Sequence, residues 1–308
     1  MTIERMCMKV FVTGATGFIG SAVVRDLHDA GHHVIGLARS DESAAALEAA
    51  GVEVHLGSLG DLDSLAKGAA ASDGVIHLAY NHDFVDMAAA GEDDLRAVNA
   101  MGDALAGTDK PLVIASGTLG LVFGFSTPLG RTGTEEDEPD LAAPRINSER
   151  ALTTLAGRGV RTGSVRLAPT VHGEGDHGFV ARLIAIAREK GVAAYVGEGA
   201  TRWPAVHRLD AARLFRLALE SGSPGARWHG VGDEGVAFRT IAETIARHLD
   251  VPTASVTPEE ASEYFGFLGF LVQMDNPTSS ALTQERLHWR PEHLGLIEDL
   301  NEGHYFTH

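Results

Sequence analysis

Three glycines at regular spacing follow the first apolar run of the chain. The segment 12–20 reads VTGATGFIG, which places Gly14, Gly17 and Gly20 three residues apart. A glycine directly after a strand permits a tight turn, and a second removes the Cβ that would hold backbone N–H groups away from a pyrophosphate. The N-terminus of a following helix favours negative charge. The pattern predicts a dinucleotide site between a strand and a helix. Its predicted binding residues are Gly14, Thr16, Gly17, Phe18, Ile19 and Gly20.

The end of the second predicted strand carries no acidic residue. Ala38 stands where a carboxylate would accept hydrogen bonds from the adenosine ribose, and Arg39 and Ser40 follow it. A guanidinium and a hydroxyl suit a ribose 2′-phosphate, so the segment favours NADP(H) over NAD(H). The alternative is a solvated Arg39 and an NAD pocket built from backbone contacts. The nearby carboxylates of Asp41 and Glu42 would favour that alternative if they turned inward.

The elements that must position these residues alternate along the first half of the chain. Short β-branched runs are separated by Ala-rich segments, which is typical of a parallel sheet covered by helices. The fold class predicted is α/β, a Rossmann-type doubly wound parallel sheet. The predicted strands are Lys9–Thr13, His33–Leu37, Glu53–Leu56, Gly74–Leu78, Pro111–Ala115 and Arg161–Leu167. The predicted helices are Phe18–Ala30, Ser43–Ala50, Leu62–Ala71, Glu92–Ala106 and Pro144–Ala156.

A smaller mixed C-terminal lobe is expected to bind the substrate. We predict a Rossmann domain over 7–170, joined by 205–233, and a substrate lobe over 171–204 and 234–308. The aromatic segment Phe265–Val272 is either a pocket wall or a buried helix or subunit contact. Further predicted elements are helices Phe179–Lys190, Asp210–Glu220 with Asp210 as N-cap, Arg239–Leu249, Pro258–Phe265 and Ser279–Leu287, and strands Ala193–Val196 and Arg227–Val231.

The glycine segment TGATGFIG resembles the extended branch of the short-chain dehydrogenase/reductase superfamily, which includes NAD-dependent epimerases and dehydratases. Later landmarks follow in the same order over nearly the whole chain: HLA at 77–79, Val98-Asn99, VRLAPTVHG at 165–173 and WPAVHRLDAA at 203–212. The resemblance implies a nicotinamide cofactor. It implies an adenine near Ser58 and Leu59, Ala79 and Tyr80 beneath the cofactor, and Pro169 and Val171 along the nicotinamide.

The catalytic pair that the family uses is missing. Members that transfer hydride carry Tyr-x-x-x-Lys at the start of the sixth crossover helix, where Lys lowers the pKa of the proton-exchanging Tyr. Here Arg145 falls at the Tyr position and Glu149 at the Lys position. None of the four tyrosines, Tyr80, Tyr195, Tyr264 and Tyr305, has Lys four residues later. The chain therefore resembles an atypical member of the superfamily.

Other side chains are candidates for the missing chemistry. Ser116 and Thr118 both fit the family's hydroxyl position after strand five, and the alternative for them is a turn that ends the strand. As proton donor we consider Tyr80, His82 and His172, which stand after strands four and six at the carboxyl edge of the sheet. Alternatively these three are hydrogen-bonding residues that line the pocket.

The composition restricts the partners. The chain has 25 basic and 42 acidic residues among 308, a formal net charge of −17. Such a charge argues against nucleic acid or a membrane surface as a partner. The lone cysteine, Cys7, fits a reducing cytoplasm, and neither a signal peptide nor a membrane-spanning run is expected. Fifteen histidines form no metal-binding motif, so we expect no metal site.

Three functions follow from these observations. The first is an NADP(H)-dependent oxidoreductase that acts on a small carbonyl or alcohol with a non-standard proton donor. The second is a non-catalytic protein that binds or senses NADP, since the usual pair is absent. The third is an epimerase or dehydratase with tightly held NAD. We also expect a homodimer formed through the helices at 92–106 and 144–156, as is common in the family.

Overall fold

Two interleaved units make up the chain in the computed structural model, which describes residues 7–81, 86–123, 129–141, 143 and 145–307. One unit contains the described residues of 1–116, 144–165 and 212–228. The other contains those of 117–143, 166–211 and 229–308. The domain limits predicted from the sequence, with a boundary at residue 170, stay a prediction. The units of the structure differ from these limits most at 117–143, which belong to the second unit.

The strands of the described residues include the eight predicted from the sequence, with ends that differ by at most two residues, and four that the sequence analysis did not predict: Thr170–His172, Arg202–His207, Asp233–Ala237 and Thr253–Val256. In chain order, the strands of these residues are β1 (Lys9–Thr13), β2 (His33–Ala38), β3 (Glu53–Leu56), β4 (Gly74–His77), β5 (Pro111–Gly117), β6 (Arg161–Leu167), β7 (Thr170–His172), β8 (Ala193–Val196), β9 (Arg202–His207), β10 (Ala226–Gly230), β11 (Asp233–Ala237) and β12 (Thr253–Val256).

The helices of the same residues include most of the predicted ones. They are α1 (Phe18–Asp29), α2 (Asp41–Ala49), α3 (Leu62–Ala70), α4 (Met87–Leu105), α5 (Ile146–Ala156), α6 (Phe179–Lys190), α7 (Arg208–Ser221), α8 (Phe238–Leu249), α9 (Ala261–Phe265), α10 (Leu268–Leu271), α11 (Ala281–Leu287) and α12 (Leu296–Asn301). None of these helices is long and apolar enough to cross a membrane.

In the part of the chain that the structure describes, the central sheet has seven strands in the order β10-β6-β5-β4-β1-β2-β3. β1 pairs in parallel with β2 on one side and with β4 on the other. From β1 the chain crosses towards β2, and from β4 it crosses towards β5, so the connections leave in opposite directions. This is the doubly wound sheet predicted from the sequence, and its topological switch point lies between β1 and β4.

Each unit has its own apolar core. In the first unit, α3, α4 and α5 contribute buried side chains that pack with those of the sheet, among them Phe11, Val98 and Leu152. In the second unit, the core around Trp203 and Phe238 draws on α6, α8 and the short helices α9 and α10. The segment Phe265–Val272 contributes to this second core through Phe265, Leu268, Leu271 and Val272, and Phe267 and Phe270 are exposed.

Several helix starts differ from the sequence prediction by one to five residues, among them those of α4 and α7. α4 begins five residues earlier than predicted, because the carboxylate of Asp86 accepts a hydrogen bond from the backbone N of Ala89 (2.9 Å) and caps it. The prediction of Asp210 as an N-cap is wrong, since α7 begins at Arg208. The Asp210 carboxylate accepts hydrogen bonds from the backbone N of Glu292 and of His293 (3.0 Å each).

Candidate active site

The turn between β1 and α1 has no room for side chains at two of its glycines. Gly14 has φ of +70°, and a Cβ there would lie 2.8 Å from the backbone N of Ala79. A Cβ on Gly20 would lie 1.9 Å from the carbonyl oxygen of Gly14. Gly20 is therefore required by the turn itself, and a methyl group there would push the turn away from the start of the helix.

The start of α1 is suited to an anion. Gly17 is its N-cap with φ of −74°, and Thr16 and Gly17 are exposed. In the described turn and first helix, no side chain caps this end, and no acidic residue lies in the first turn. The partial positive charge of the helix N-terminus is thus not neutralised by a capping carboxylate. A pyrophosphate is the group that this arrangement would bind.

Thr13, the last residue of β1, ties the turn to the residues that follow β4. Its Oγ1 accepts hydrogen bonds from the backbone N of Leu78 and of Ala79 (3.2 Å each). A hydroxyl has one proton and two lone pairs, so the proton of Thr13 is donated to Nδ1 of His77, 2.7 Å away. Nδ1 of His77 therefore accepts, and its Nε2 donates to Oδ1 of Asp94 (3.3 Å).

Asp94, in the first half of α4, is a carboxylate with 1% side-chain exposure. Besides His77, it accepts hydrogen bonds from Nη2 of Arg145 (2.9 Å) and from Oγ of Ser148 (2.6 Å). Burial alone would raise the pKa of Asp94, but the charge of Arg145 and the hydrogen bond of His77 outweigh it and hold the pKa well below its ordinary value. Asp94 is therefore an ionised buried group throughout the neutral range.

Arg145, held by Asp94, lies over the aromatic ring of Tyr80. Its guanidinium carbon is 4.3 Å from the ring centroid, a cation–π contact. Tyr80 follows the end of β4 and is half-buried. Burial raises the pKa of Tyr80 above its ordinary value of 10.0, although the charge of Arg145 opposes this rise. The phenol is therefore protonated near neutral pH and can donate a proton.

The first unit brings several predicted site residues to one edge of its sheet. Gly14 follows β1 and Tyr80 follows β4, and these neighbouring strands flank the switch point where ligands bind in open α/β sheets. Ala79 contacts Gly14 and directly precedes Tyr80, so it connects these two residues. Ser116, near the end of β5, is 9% exposed.

The predicted adenosine-binding residues lie at the same edge. Arg39 and Ser40 follow β2 and are exposed, and Ser58 and Leu59 follow β3. The hydroxyl of Ser40 already accepts a hydrogen bond from the backbone N of Ser43 (3.3 Å) and caps α2. This cap leaves Arg39 as the stronger of the two predicted phosphate ligands.

The remaining predicted residues belong to the second unit or lie outside the described residues. Thr118 is fully buried, and its Oγ1 accepts a hydrogen bond from Nδ2 of Asn276 (3.0 Å). Pro169 precedes β7 and Val171 lies in it, and both residues are half-buried. His82 lies outside the described residues.

His172 is buried in the second unit. Its Nδ1 donates to Oδ2 of Asp299 (2.8 Å), and the side chain is 1% exposed. A substrate could contact this imidazole only if its neighbours moved. Among the described residues, no group of three or more His, Cys, Asp or Glu side chains is arranged to hold a metal ion.

His207 lies beside His172 and is stacked on His293, with ring centroids 4.7 Å apart. Its Nδ1 accepts a hydrogen bond from the backbone N of Leu209 (3.3 Å), so its proton is on Nε2. Burial, together with the charges that His172 and His293 would carry, lowers the pKa of His207 from 6.5 to about 4. The folded protein thus keeps this imidazole neutral.

The sequence analysis did not single out Asp94 or Ser148. A signal for Asp94 exists in α4, where Ala90, Ala97, Val98 and Met101 recur at helical spacing and are buried. An acidic residue on such an apolar face must have partners, because an unpaired buried charge is strongly destabilising. The identity of those partners, 51 and 54 residues away, was not accessible from spacing.

The comparisons with known proteins support the family and the fold. The model of the NAD-dependent epimerase/dehydratase family matches residues 10–229. The chain is 50% identical over 300 residues to "Uncharacterized protein C2A9.02" of Schizosaccharomyces pombe, covering 97% of this chain and 100% of that protein. It is 44% identical over 301 residues to "Uncharacterized protein YLL056C" of Saccharomyces cerevisiae, covering 96% and 99%.

A more distant relative is named for its reaction. The 2-alkyl-3-oxoalkanoate reductase of Stenotrophomonas maltophilia is 30% identical over 233 residues, covering 72% of this chain and 68% of that protein.

Solved structures with low identity share the fold. The UDP-glucose 4-epimerase of Thermus thermophilus in complex with NAD aligns with a TM-score of 0.74 and 22% identity, over 97% of this chain and 99% of that chain. The dTDP-glucose 4,6-dehydratase DesIV of Streptomyces venezuelae, with NAD bound, aligns with a TM-score of 0.75 and 18% identity, over 96% of each.

The neutral His207 makes stability dependent on pH. Between pH 6.5 and about 4 the unfolded chain binds a proton at this residue and the folded chain does not, so the free energy of unfolding decreases as the pH falls through this window. We expect the free energy of unfolding of His207→Gln to fall less over this pH range than that of the unchanged chain. Urea unfolding at pH 7.0, 5.5 and 4.5 measures it, with the exposed His177→Gln as control. Equal pH dependence in the two variants would contradict the assignment.

Proposed function

This chain belongs to the NAD-dependent epimerase/dehydratase family, and we propose that it is an NADP(H)-dependent oxidoreductase acting on a small carbonyl or alcohol with a non-standard proton donor. The observation that carries the proposal is the placement of a protonated phenol, Tyr80, directly beyond Ala79, which packs on Gly14 of the dinucleotide turn. Binding and proton transfer would then use adjacent residues of one unit.

The residues of the turn fit a nicotinamide dinucleotide. Gly17 and Thr16 are exposed at an uncapped helix start, and the glycine positions exclude side chains that would fill the cradle. When bound, the nicotinamide supplies or accepts the hydride. A preference for NADP(H) is supported by the absence of a carboxylate at Ala38 and by the exposed Arg39. Because both solved neighbours contain NAD, NAD(H) is the alternative cofactor.

Tyr80 is the best supported of the three donor candidates. It is half-buried at the carboxyl edge of the sheet, whereas His172 is buried against Asp299. In the direction of reduction, the hydroxyl of Tyr80 would donate its proton to the carbonyl oxygen of the substrate. The hydroxyl of Ser116 would hydrogen-bond the same oxygen.

The name of the Stenotrophomonas relative supports reduction of a 3-oxo compound over epimerisation of a sugar nucleotide. The second candidate function is non-catalytic binding of NADP, and the observation that favours it is the absence of the Tyr-x-x-x-Lys pair. An epimerase or dehydratase with tightly held NAD is the third, supported by the solved neighbours. Oxidation of NADPH in the presence of a carbonyl compound would distinguish the oxidoreductase from the other two functions.

The oligomeric state and the cellular location are also proposals. We propose a homodimer formed through α4 and α5, as the resemblance implies, and light scattering of the purified chain would test it. A cytoplasmic location is proposed from the single cysteine, since a reducing compartment favours free thiols.

Gly17→Ala tests the dinucleotide turn. Its Cβ would lie 3.2 Å from Gly14 O, a tight contact at an ordinary φ, so the fold should persist while the added methyl obstructs the phosphates. We expect NADPH affinity to fall about tenfold or more, measured by fluorescence titration, at nearly unchanged thermal stability. Gly157→Ala, whose Cβ would lie 3.4 Å from a carbonyl oxygen at the end of α5, is the control. Full affinity in Gly17→Ala would place the cofactor elsewhere.

Arg39→Gln tests the choice of cofactor. If the guanidinium binds the 2′-phosphate, its loss removes a charge-assisted contact worth about 1.5–3 kcal/mol, roughly a tenfold or greater loss of NADPH affinity. The affinity for NADH should not change. The control is Arg25→Gln, which removes an exposed arginine from α1. A parallel loss for both cofactors, or for neither, would contradict the proposed preference.

Tyr80→Phe tests the proton donor. Absorbance at 340 nm is followed with NADPH and a panel of aldehydes, ketones and 3-oxo acids. General acid catalysis contributes about 10²–10⁴-fold, so we expect a loss of kcat of that size with little change in NADPH affinity.

The matched control for this substitution is Tyr195→Phe, which alters another tyrosine stacked under an arginine, Arg239. Unchanged turnover in Tyr80→Phe would exclude Tyr80 as the donor. NADPH binding without turnover of any carbonyl by the wild-type chain would favour the non-catalytic alternative.

A further inference from the structure

We propose that Asp94 and Arg145 are positioning residues for Tyr80: the buried carboxylate fixes the guanidinium, and the guanidinium fixes the phenol and stabilises its ionised form. This inference rests on the proposed function, in which Tyr80 exchanges the proton. It assigns a purpose to a buried ion pair that the dinucleotide turn by itself does not need.

The hydrogen bonds around Asp94 hold the guanidinium in one orientation. One carboxylate oxygen accepts from Arg145 and His77, and the other accepts from Ser148. Ser148 lies three residues after Arg145 in the first turn of α5, so the carboxylate binds both the start of that helix and the residue before it. The Arg145 side chain is only 18% exposed, which reduces the screening of its charge by water.

A second arginine–tyrosine pair shows what is particular to the first. Arg239 lies over Tyr195 at 5.2 Å and pairs with Glu243 at 2.8 Å. That ion pair joins side chains of one helix that are 50% and 48% exposed, an arrangement that contributes little energy or orientation. The Arg145 pair has the same chemistry but is buried, and it joins two different helices to the residues after β4.

The chemical consequence concerns the phenolate that forms during reduction. In the proposed reduction, a bound reduced nicotinamide would supply hydride to the carbonyl carbon and Tyr80 would supply a proton to the carbonyl oxygen, which would give an alcohol. Tyr80 is left as a phenolate until a proton from solvent restores it. Burial disfavours this anion, and the guanidinium of Arg145 above the ring offsets that penalty.

The ionisation of Tyr80 can be measured without any substrate. The tyrosinate absorbance at 295 nm is recorded against pH for the chain and for Tyr80→Phe, and the difference isolates Tyr80 from the other three tyrosines. The same difference is measured for Arg145→Gln against the double variant Arg145→Gln/Tyr80→Phe. We expect its midpoint to lie about one pH unit higher than in the unchanged chain, because an opposite charge within 4–6 Å shifts a pKa by about that much or more. Circular dichroism defines the pH range in which each variant is folded.

The conservative variant separates the charge from mere packing. Arg145→Lys keeps the positive charge, so the midpoint should return at least halfway towards that of the wild-type chain. Arg239→Gln is the control and should leave the difference titration unchanged. Where a carbonyl substrate is turned over, we expect Arg145→Gln to lower kcat about tenfold while KM changes less than threefold.

The anchor is tested by Asp94→Asn. We expect its loss of kcat to match that of Arg145→Gln, and the double variant to lose little more than either single variant. Asp93→Asn is the matched control, since Asp93 is the preceding residue of α4 and pairs with Arg96 on the exposed surface. Affinity for NADPH, measured in parallel, shows whether the dinucleotide site is still folded.

The outcomes distinguish this inference from the proposed function. If Arg145→Gln leaves both the Tyr80 midpoint and kcat unchanged while Tyr80→Phe abolishes turnover, the positioning role is wrong and the donor stands. If Tyr80→Phe retains full turnover, the donor is wrong, and a shifted midpoint in Arg145→Gln still shows that Arg145 controls the phenol. A midpoint that moves equally in Arg239→Gln would also overturn the inference.

Discussion

The buried carboxylate of Asp94 is the constraint around which the carboxyl edge of the first unit is arranged. A charge with almost no contact with water requires partners of opposite charge or good hydrogen-bond donors, and removing one partner of such a pair costs about 3–5 kcal/mol. The three donors of Asp94 come from the end of β4, from the residue before α5 and from α5 itself. Through His77 and Thr13 the same network extends to the backbone N–H groups of Leu78 and Ala79, which pack on the glycine turn. The glycine turn and the ion pair of Asp94 with Arg145 are thus joined by one network of hydrogen bonds.

Much of the fold could be predicted because it depends on local patterns. The strands Lys9–Thr13, Glu53–Leu56 and Arg161–Leu167 and the helix Phe179–Lys190 have the predicted bounds, since β-branched runs and apolar periodicity identify them directly. The spacing of the glycines likewise predicted a tight turn after the first strand, and Gly14 in that turn has φ of +70°.

The parts that were not predicted depend on distant residues. Nothing near Asp210 in the sequence indicates that its carboxylate binds backbone N–H groups 82 and 83 residues later rather than capping α7. Asp94 stands in the Glu92-Asp93-Asp94 run, and its helical spacing with buried apolar residues indicates that it is buried. Its partners Arg145 and Ser148 are 51 and 54 residues away and could not be identified from the sequence. The absence of the Tyr-x-x-x-Lys pair was visible in the sequence, whereas the cation–π contact of Arg145 with Tyr80 required the fold.

A crystal structure of the chain grown with saturating NADP⁺ tests most directly the claim that the β1–α1 turn and Tyr80 form one site. We expect the pyrophosphate oxygens within hydrogen-bond distance of backbone N atoms at the start of α1, near Gly17 and Phe18, and the nicotinamide ring on the side of Tyr80. Density for the dinucleotide at another place, or a nicotinamide turned away from Tyr80 with Arg145 still held by Asp94, would contradict it.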